Sequence, residues 1–67
     1  MNNLIKVERA RRNMTQNDLA LEMGVNRQTI NSIETKKYIP SLLLGFRIAH
    51  FFKMPADDLF ELEEDEY

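Results

Sequence analysis

The sequence predicts an all-α fold, a compact five-helix bundle with a central pair of helices joined by a tight turn. Three observations predict it. Apolar residues recur at spacings of three and four in separate short runs. Residues able to cap or open a helix stand before the runs: Asn2-Asn3, Thr15, Asn26, Ser41 and Pro55. Gly24, Pro40 and Pro55 then divide the runs from one another.

Helix 1 is expected over about residues 4–12, where Leu4, Ile5, Val7, Ala10 and Met14 keep helical spacing behind Asn2-Asn3. Helix 2 is expected over about 16–23: the Thr15 hydroxyl caps it, and Asp18 adds a capping-box carboxylate near the positive end of the helix dipole. Leu19, Ala20 and Met23 form its inner face. Gly24 ends it, because glycine takes the left-handed conformation at little steric cost. Val25 then plugs the turn from inside.

Helix 3, about 27–35, opens behind the cap Asn26 and buries a narrow stripe of Thr29, Ile30 and Ile33. That leaves Arg27, Gln28, Asn31 and Ser32 facing outward. A loop through Lys36, Lys37 and Tyr38 reaches Pro40, whose predecessor is barred from helix, and Ser41 caps helix 4 over about 42–52. Leu43, Leu44, Phe46, Ile48, Ala49, Phe51 and Phe52 are too many apolar groups for one stripe, so some must meet another surface. Helix 5, about 56–60, follows Pro55 with Asp57 and Asp58 in its first turn. Leu59, Phe60 and Leu62 can reach back to the core, and residues 61–67 form an acidic end.

Residues 1–67 are read as one domain, too short to bury more than a modest core. With no cysteine there is no disulfide framework and no thiolate metal site. No apolar run has the length of a membrane span and none resembles a secretion signal, so a soluble, cytoplasmic protein is expected.

The net charge of −2 conceals a division along the chain. Residues 1–53 hold nine Lys or Arg against four Asp or Glu, a balance of +5, whereas residues 54–67 hold none against seven, a balance of −7. A basic body with an acidic end can present a positive face to phosphates if that end sits elsewhere.

The side chains on helix 3 are those that read base edges. Arginine matches guanine O6 and N7, and glutamine matches adenine N6 and N7. Arg27 and Gln28, in the first turn of helix 3, are therefore the leading candidates for base contacts. Asn31, one turn on, could read an adenine edge, and Ser32 is short enough for close approach to a base or a phosphate. Gln16, at the start of helix 2, is placed to clamp a phosphate through both its amide groups. Thr15, Asn26, Thr29, Lys36, Lys37 and Tyr38 are the further candidates for phosphate contacts, which fix register without carrying sequence information. Gln16 and Asn26 also read as plain caps, and Lys36-Lys37 as a solvated loop pair.

Thr15-Gln16, Asp18-Leu19-Ala20, Gly24-Val25, Arg27-Gln28-Thr29-Ile30, Ile33-Glu34, Tyr38, Pro40-Ser41-Leu42, Arg47-Ile48-Ala49 and Asp58-Leu59-Phe60 together resemble the phage-repressor and Cro-like, or Xre-type, helix-turn-helix family. The resemblance covers about residues 4–60 and is nearest to the small stand-alone regulators of that family. It implies five helices, dimeric DNA binding, transcriptional control and a phosphate-clamping role for Gln16. It also implies a structural ion pair between Arg9 and Glu34. Some small relatives add a short antiparallel sheet, and the alternation Phe60-Glu61-Leu62-Glu63 permits such a strand, beside Met1 to Asn3 or at a dimer interface. Two positions depart from the family pattern: Gly45 replaces a small alanine, and Glu8 stands where an apolar residue is usual.

A two-fold homodimer is expected through Phe51, Phe52, Leu59, Phe60 and Leu62. Its two copies of helix 3 would face major grooves about 34 Å apart, on an inverted repeat with half-sites about 10 base pairs apart. The expected partners are thus double-stranded DNA and a second copy of the chain, with no membrane and no small-molecule ligand. No cofactor or metal is expected: lone His50 lacks partners at ligand spacing, and no nucleophile has an adjacent base, so no enzyme activity is expected. The alternative function is a protein-interaction module, such as an antitoxin or bridging factor, with the acidic end as the working surface.

Overall fold

Side-chain caps start three of the helices. The computed structural model describes residues 1–67 and comprises β1 (Asn2–Asn3), α1 (Ile5–Arg11), α2 (Gln16–Met23), α3 (Arg27–Glu34), α4 (Leu42–Phe51), α5 (Ala56–Leu59), β2 (Phe60–Glu61) and a 3₁₀ turn (Glu64–Glu66). At α2, Thr15 Oγ1 accepts from the Asp18 N–H at 3.0 Å while Asp18 Oδ2 accepts from the Thr15 N–H at 2.9 Å, a reciprocal capping box. Asn26 Oδ1 accepts from the Thr29 N–H at 2.8 Å, and Ser41 Oγ from the Leu44 N–H at 3.1 Å. α1 has Leu4 at its cap position, but Asn3 Oδ1 still accepts the Ile5 N–H at 3.2 Å.

Gly24 closes α2 in the left-handed region, at φ 71°, and its N–H returns to Ala20 and Leu21 carbonyls. This turn sets α3 across α2, and Ile30 and Ile33 from α3 are sealed against Leu19, Ala20 and Met23. α4 contributes Leu44, Ile48 and Ala49 to the same core, with Ile5 closing it from α1. Arg47 Nη1 donates to the Met23 carbonyl at 3.1 Å, tying α4 to the last turn of α2.

Three expectations are corrected by the packing. Phe52 and Leu59, expected at a dimer interface, are core residues only 2% and 1% exposed, because the end of α4 and α5 turn them into the common core with Ile5, Leu19 and Ile48 rather than outward. On α1, Leu4 and Val7 are exposed and Ile5 alone is sealed, while Glu8 faces inward at 6% exposure. The buried carboxylate is compensated: Arg12 Nη1 lies 2.9 Å from Glu8 Oε1 and Arg11 Nη1 3.3 Å from Glu8 Oε2. Arg12 also lies over the Phe52 ring and donates to the Phe52 carbonyl at 2.9 Å, so the pair closes that end of the core.

The acidic end folds against the body. β2 pairs antiparallel with β1 in the register Asn2 opposite Glu61 and Asn3 opposite Phe60. The strand permitted by the sequence therefore forms within the chain. Beyond it, Glu63 and Glu66 lie against the Met1 amino group, at 3.4 and 2.7 Å. No helix is long and apolar enough to cross a membrane.

Candidate nucleic-acid interface

The start of α2 lies beside the second half of α3, where Gln16 meets Asn31 and Glu34, and α3 turns a polar side outward. Arg27 and Gln28 are exposed in the first turn of α3, and neither side chain hydrogen-bonds within the chain. Ser32 follows Gln28 by one turn and is half-buried with its hydroxyl unbonded. Asn26 uses Oδ1 as a cap and keeps its amide nitrogen free. The Thr29 hydroxyl is turned to Asn26 Oδ1 at 3.0 Å, which places it at the rim of the surface. Helix starts leave main-chain N–H groups without acceptors, and at α2 these are Gln16 and Asn17, at α3 Arg27 and Gln28. Such groups suit phosphate oxygens.

Gln16 does not present both its amide groups. Its Nε2 donates to Asn31 Oδ1 and to Glu34 Oε1, each at 3.1 Å, so both side-chain donors are used inside the chain. The main-chain N–H remains for a phosphate, and the side chain instead braces α2 against α3. Glu34 is itself held by Arg9, whose Nε and Nη2 donate to the two carboxylate oxygens at 2.7 and 3.0 Å. The Arg9 Nη1 donates to the Met14 carbonyl at 2.8 Å. With the Arg9 and Glu34 side chains 12% and 5% exposed, this bidentate pair is shielded from water.

Lys36 stays exposed, but its ammonium is engaged within the chain rather than left free for the phosphate role expected of it. Its Nζ lies 2.8 Å from Glu63 Oε1 and 3.1 Å from Asn2 Oδ1. Hydrogen bonding to Lys36 and its positive charge hold the Glu63 carboxyl below its ordinary value, and Glu63 in turn raises the Lys36 ammonium. Lys37 and Tyr38 remain exposed with unbonded side chains.

A second surface was not legible as a unit. Ile39, Leu42 and Phe46 are 59%, 76% and 54% exposed and border a shallow apolar depression with Phe60 and Leu62. Phe60 is half-buried and Leu62 exposed; Phe51 is likewise half-buried and packs edge-on to Phe52 at a centroid distance of 5.4 Å. The signal for this face was present in the spacing of four between Leu42 and Phe46, opposite the buried set Leu44, Ile48 and Phe52.

Two short helices in tight-turn succession, the second exposing unpaired arginine and glutamine at its start, define a helix-turn-helix DNA-binding module. The helix-turn-helix family (HTH_3) matches residues 5–59, and the chain belongs to this Xre/Cro-like family. The chain is 53% identical over 66 residues to an HTH-type transcriptional regulator of Methanocaldococcus jannaschii, covering 98% of this chain and 100% of the relative. It is 46% identical over 66 residues to a second such regulator from Archaeoglobus fulgidus, covering 98% and 93% respectively. It is 45% identical over 65 residues to the HTH-type transcriptional regulator YgzD of Bacillus subtilis, covering 97% and 98%. The family is one of small transcriptional regulators, not enzymes, and membership implies DNA binding.

Proposed function

We propose that the protein is a sequence-specific regulator that binds double-stranded DNA as a homodimer with α3 in the major groove. The observation that carries this reading is the outward side of α3. Arg27 and Gln28 hold bidentate donors and acceptors that nothing in the chain uses, at the end of the helix that enters a groove first. The unpaired N–H groups at the starts of α2 and α3 flank them, with Asn26, Thr15, Lys37 and Tyr38 around the rim for phosphates.

The homodimer rests on the apolar face of Ile39, Leu42, Phe46, Phe60 and Leu62. A contiguous exposed patch of this kind on a small protein marks an interaction surface. Two-fold pairing through it presents two copies of α3 to an inverted repeat. Occupation of such an operator would exclude polymerase, so the regulator is read as a repressor, acting in the cytoplasm where its DNA lies.

Selection from random duplexes by the purified protein, with the oligomeric state read by sedimentation at micromolar concentration, tests this function. An enriched inverted repeat and a dimer are expected. Enrichment of a single unrepeated half-site by a monomer removes the dimeric reading, and no enrichment removes the regulator reading.

A further inference from the structure

The relay of hydrogen bonds between Arg9 and Asn31 has a direction. Glu34 is a carboxylate and can only accept, and Arg9 fixes both its oxygens. The group that Gln16 turns toward Glu34 Oε1 must therefore be its amide nitrogen, and the second hydrogen of that nitrogen points to Asn31. Asn31 then has to answer with its carbonyl oxygen, which leaves its own amide nitrogen on the other side. Asn31 Nδ2 has no hydrogen-bond partner in the chain, yet no buried side-chain polar atom is left unpaired, so this nitrogen lies at the surface. It stands one turn after Arg27 on the same side of α3.

We infer that Asn31 is a specificity-determining residue whose amide orientation is set by Glu34 through Gln16, so that its oxygen is held toward Gln16 and its nitrogen is the atom offered to DNA. This rests on the groove-reading function proposed above. An amide whose nitrogen faces the groove while its oxygen is turned aside favours a base edge made of acceptors. Guanine presents N7 and O6 in the major groove, whereas reading adenine through both N7 and N6 requires an oxygen beside the nitrogen. Asn31 thus selects guanine over adenine, contrary to the adenine edge that residue type alone suggested. Gln16 is a positioning residue: it touches Asn31, not the base.

The test is competition binding on the selected site with each base in turn at every position, for wild type, Gln16→Ala, Asn31→Ala and Asn31→Asp. The wild type is expected to prefer guanine to adenine by about tenfold at one position of each half-site. Asn31→Ala removes that preference and no other. Asn31→Asp, an acceptor of the same shape, shifts the preference to cytosine, whose N4 donates. Gln16→Ala frees the Asn31 amide to turn over, so adenine becomes as good as guanine there while the salt dependence of binding is unchanged. A preference untouched by Gln16→Ala, or a wild-type preference for adenine at the position that Asn31→Ala alters, overturns the inference while leaving DNA reading intact. A wild type with no preference at any position overturns both.

Discussion

Replacing Glu34 by alanine should remove a large part of the protein's stability. A chain of 67 residues is held by about 3–10 kcal/mol, at about 0.05–0.15 kcal/mol per residue. Glu34→Ala leaves the Arg9 guanidinium, 12% exposed, without its counter-charge and leaves one Gln16 donor without an acceptor. Breaking a fully buried ion pair costs about 3–5 kcal/mol, and the partial access of water to Arg9 puts this case at the lower end, about 3 kcal/mol. Urea unfolding at fixed protein concentration, followed by helical circular dichroism, reads the loss directly. The paired replacement Arg9→Met with Glu34→Leu removes both charges together and should cost no more than about 1 kcal/mol. Its fold survives but its Gln16 loses the carboxylate that orients it, so stability and base discrimination separate in this variant. A loss below about 1 kcal/mol for Glu34→Ala, the level of an exposed pair, refutes the reasoning.

Other outcomes follow from the same geometry. A methyl group at Gly45 would meet Phe60 Cε2 at 3.6 Å and Pro40 Cγ at 3.9 Å, ordinary contact distances, so Gly45→Ala should stabilise by about 1 kcal/mol through helix propensity, read as a rise of about 4–8 °C in Tm. Phe46→Lys, on the exposed apolar face, should yield a folded monomer by sedimentation with weakened binding to a two-half-site duplex; a dimer of unchanged strength contradicts the placement of the interface. Because Glu63 titrates below its ordinary value, its contact with Lys36 is at full strength above the usual carboxylate range and fades as pH falls through the lowered value. Lys36, raised by the same contact, stays charged throughout that range. Proteolysis of residues 60–67 should therefore be slow at neutral pH and accelerate only on acidification below the usual carboxylate range, and no acceleration at any acid pH at which the helices stay folded would show that the contact does not hold the end in place.

What was legible in the sequence is what is local. Thr15, Asn26 and Ser41 bond groups three residues away, and Gly24 acts at its own φ, so the starts of α2, α3 and α4 and the turn between α2 and α3 could be read without tertiary information. The outward placement of Arg27 and Gln28 follows from the periodicity of Ile30 and Ile33. What escaped depends on partners far along the chain. Gln16 meets Asn31 and Glu34 fifteen and eighteen positions on, and Lys36 meets Glu63 twenty-seven positions on. Residue type shows that each can donate, not whether the acceptor is a phosphate or another side chain. The facing of α4 and α5 escaped for a related reason. Both sides of α4 carry large apolar residues, and only packing against Ile5 and Leu19 decides that Phe52 is inside and Phe46 outside. Glu8 was legible as an anomaly but not as a buried carboxylate: its pairing with Arg11 and Arg12 is local, at spacings of three and four, but its burial depends on which side of α1 packs on the core.

The measurement that tests the central claim most directly is titration of the selected duplex at two salt concentrations by wild type, Arg27→Ala and Gln28→Ala, with each base of the half-site varied. Each substitution is predicted to relax preference at its own position by about 1–3 kcal/mol and to leave other positions unchanged, on a binding curve that weakens steeply with salt for every protein. Binding that loses equally at all positions, or that neither substitution alters, would contradict the assignment of α3 as the element that reads the sequence.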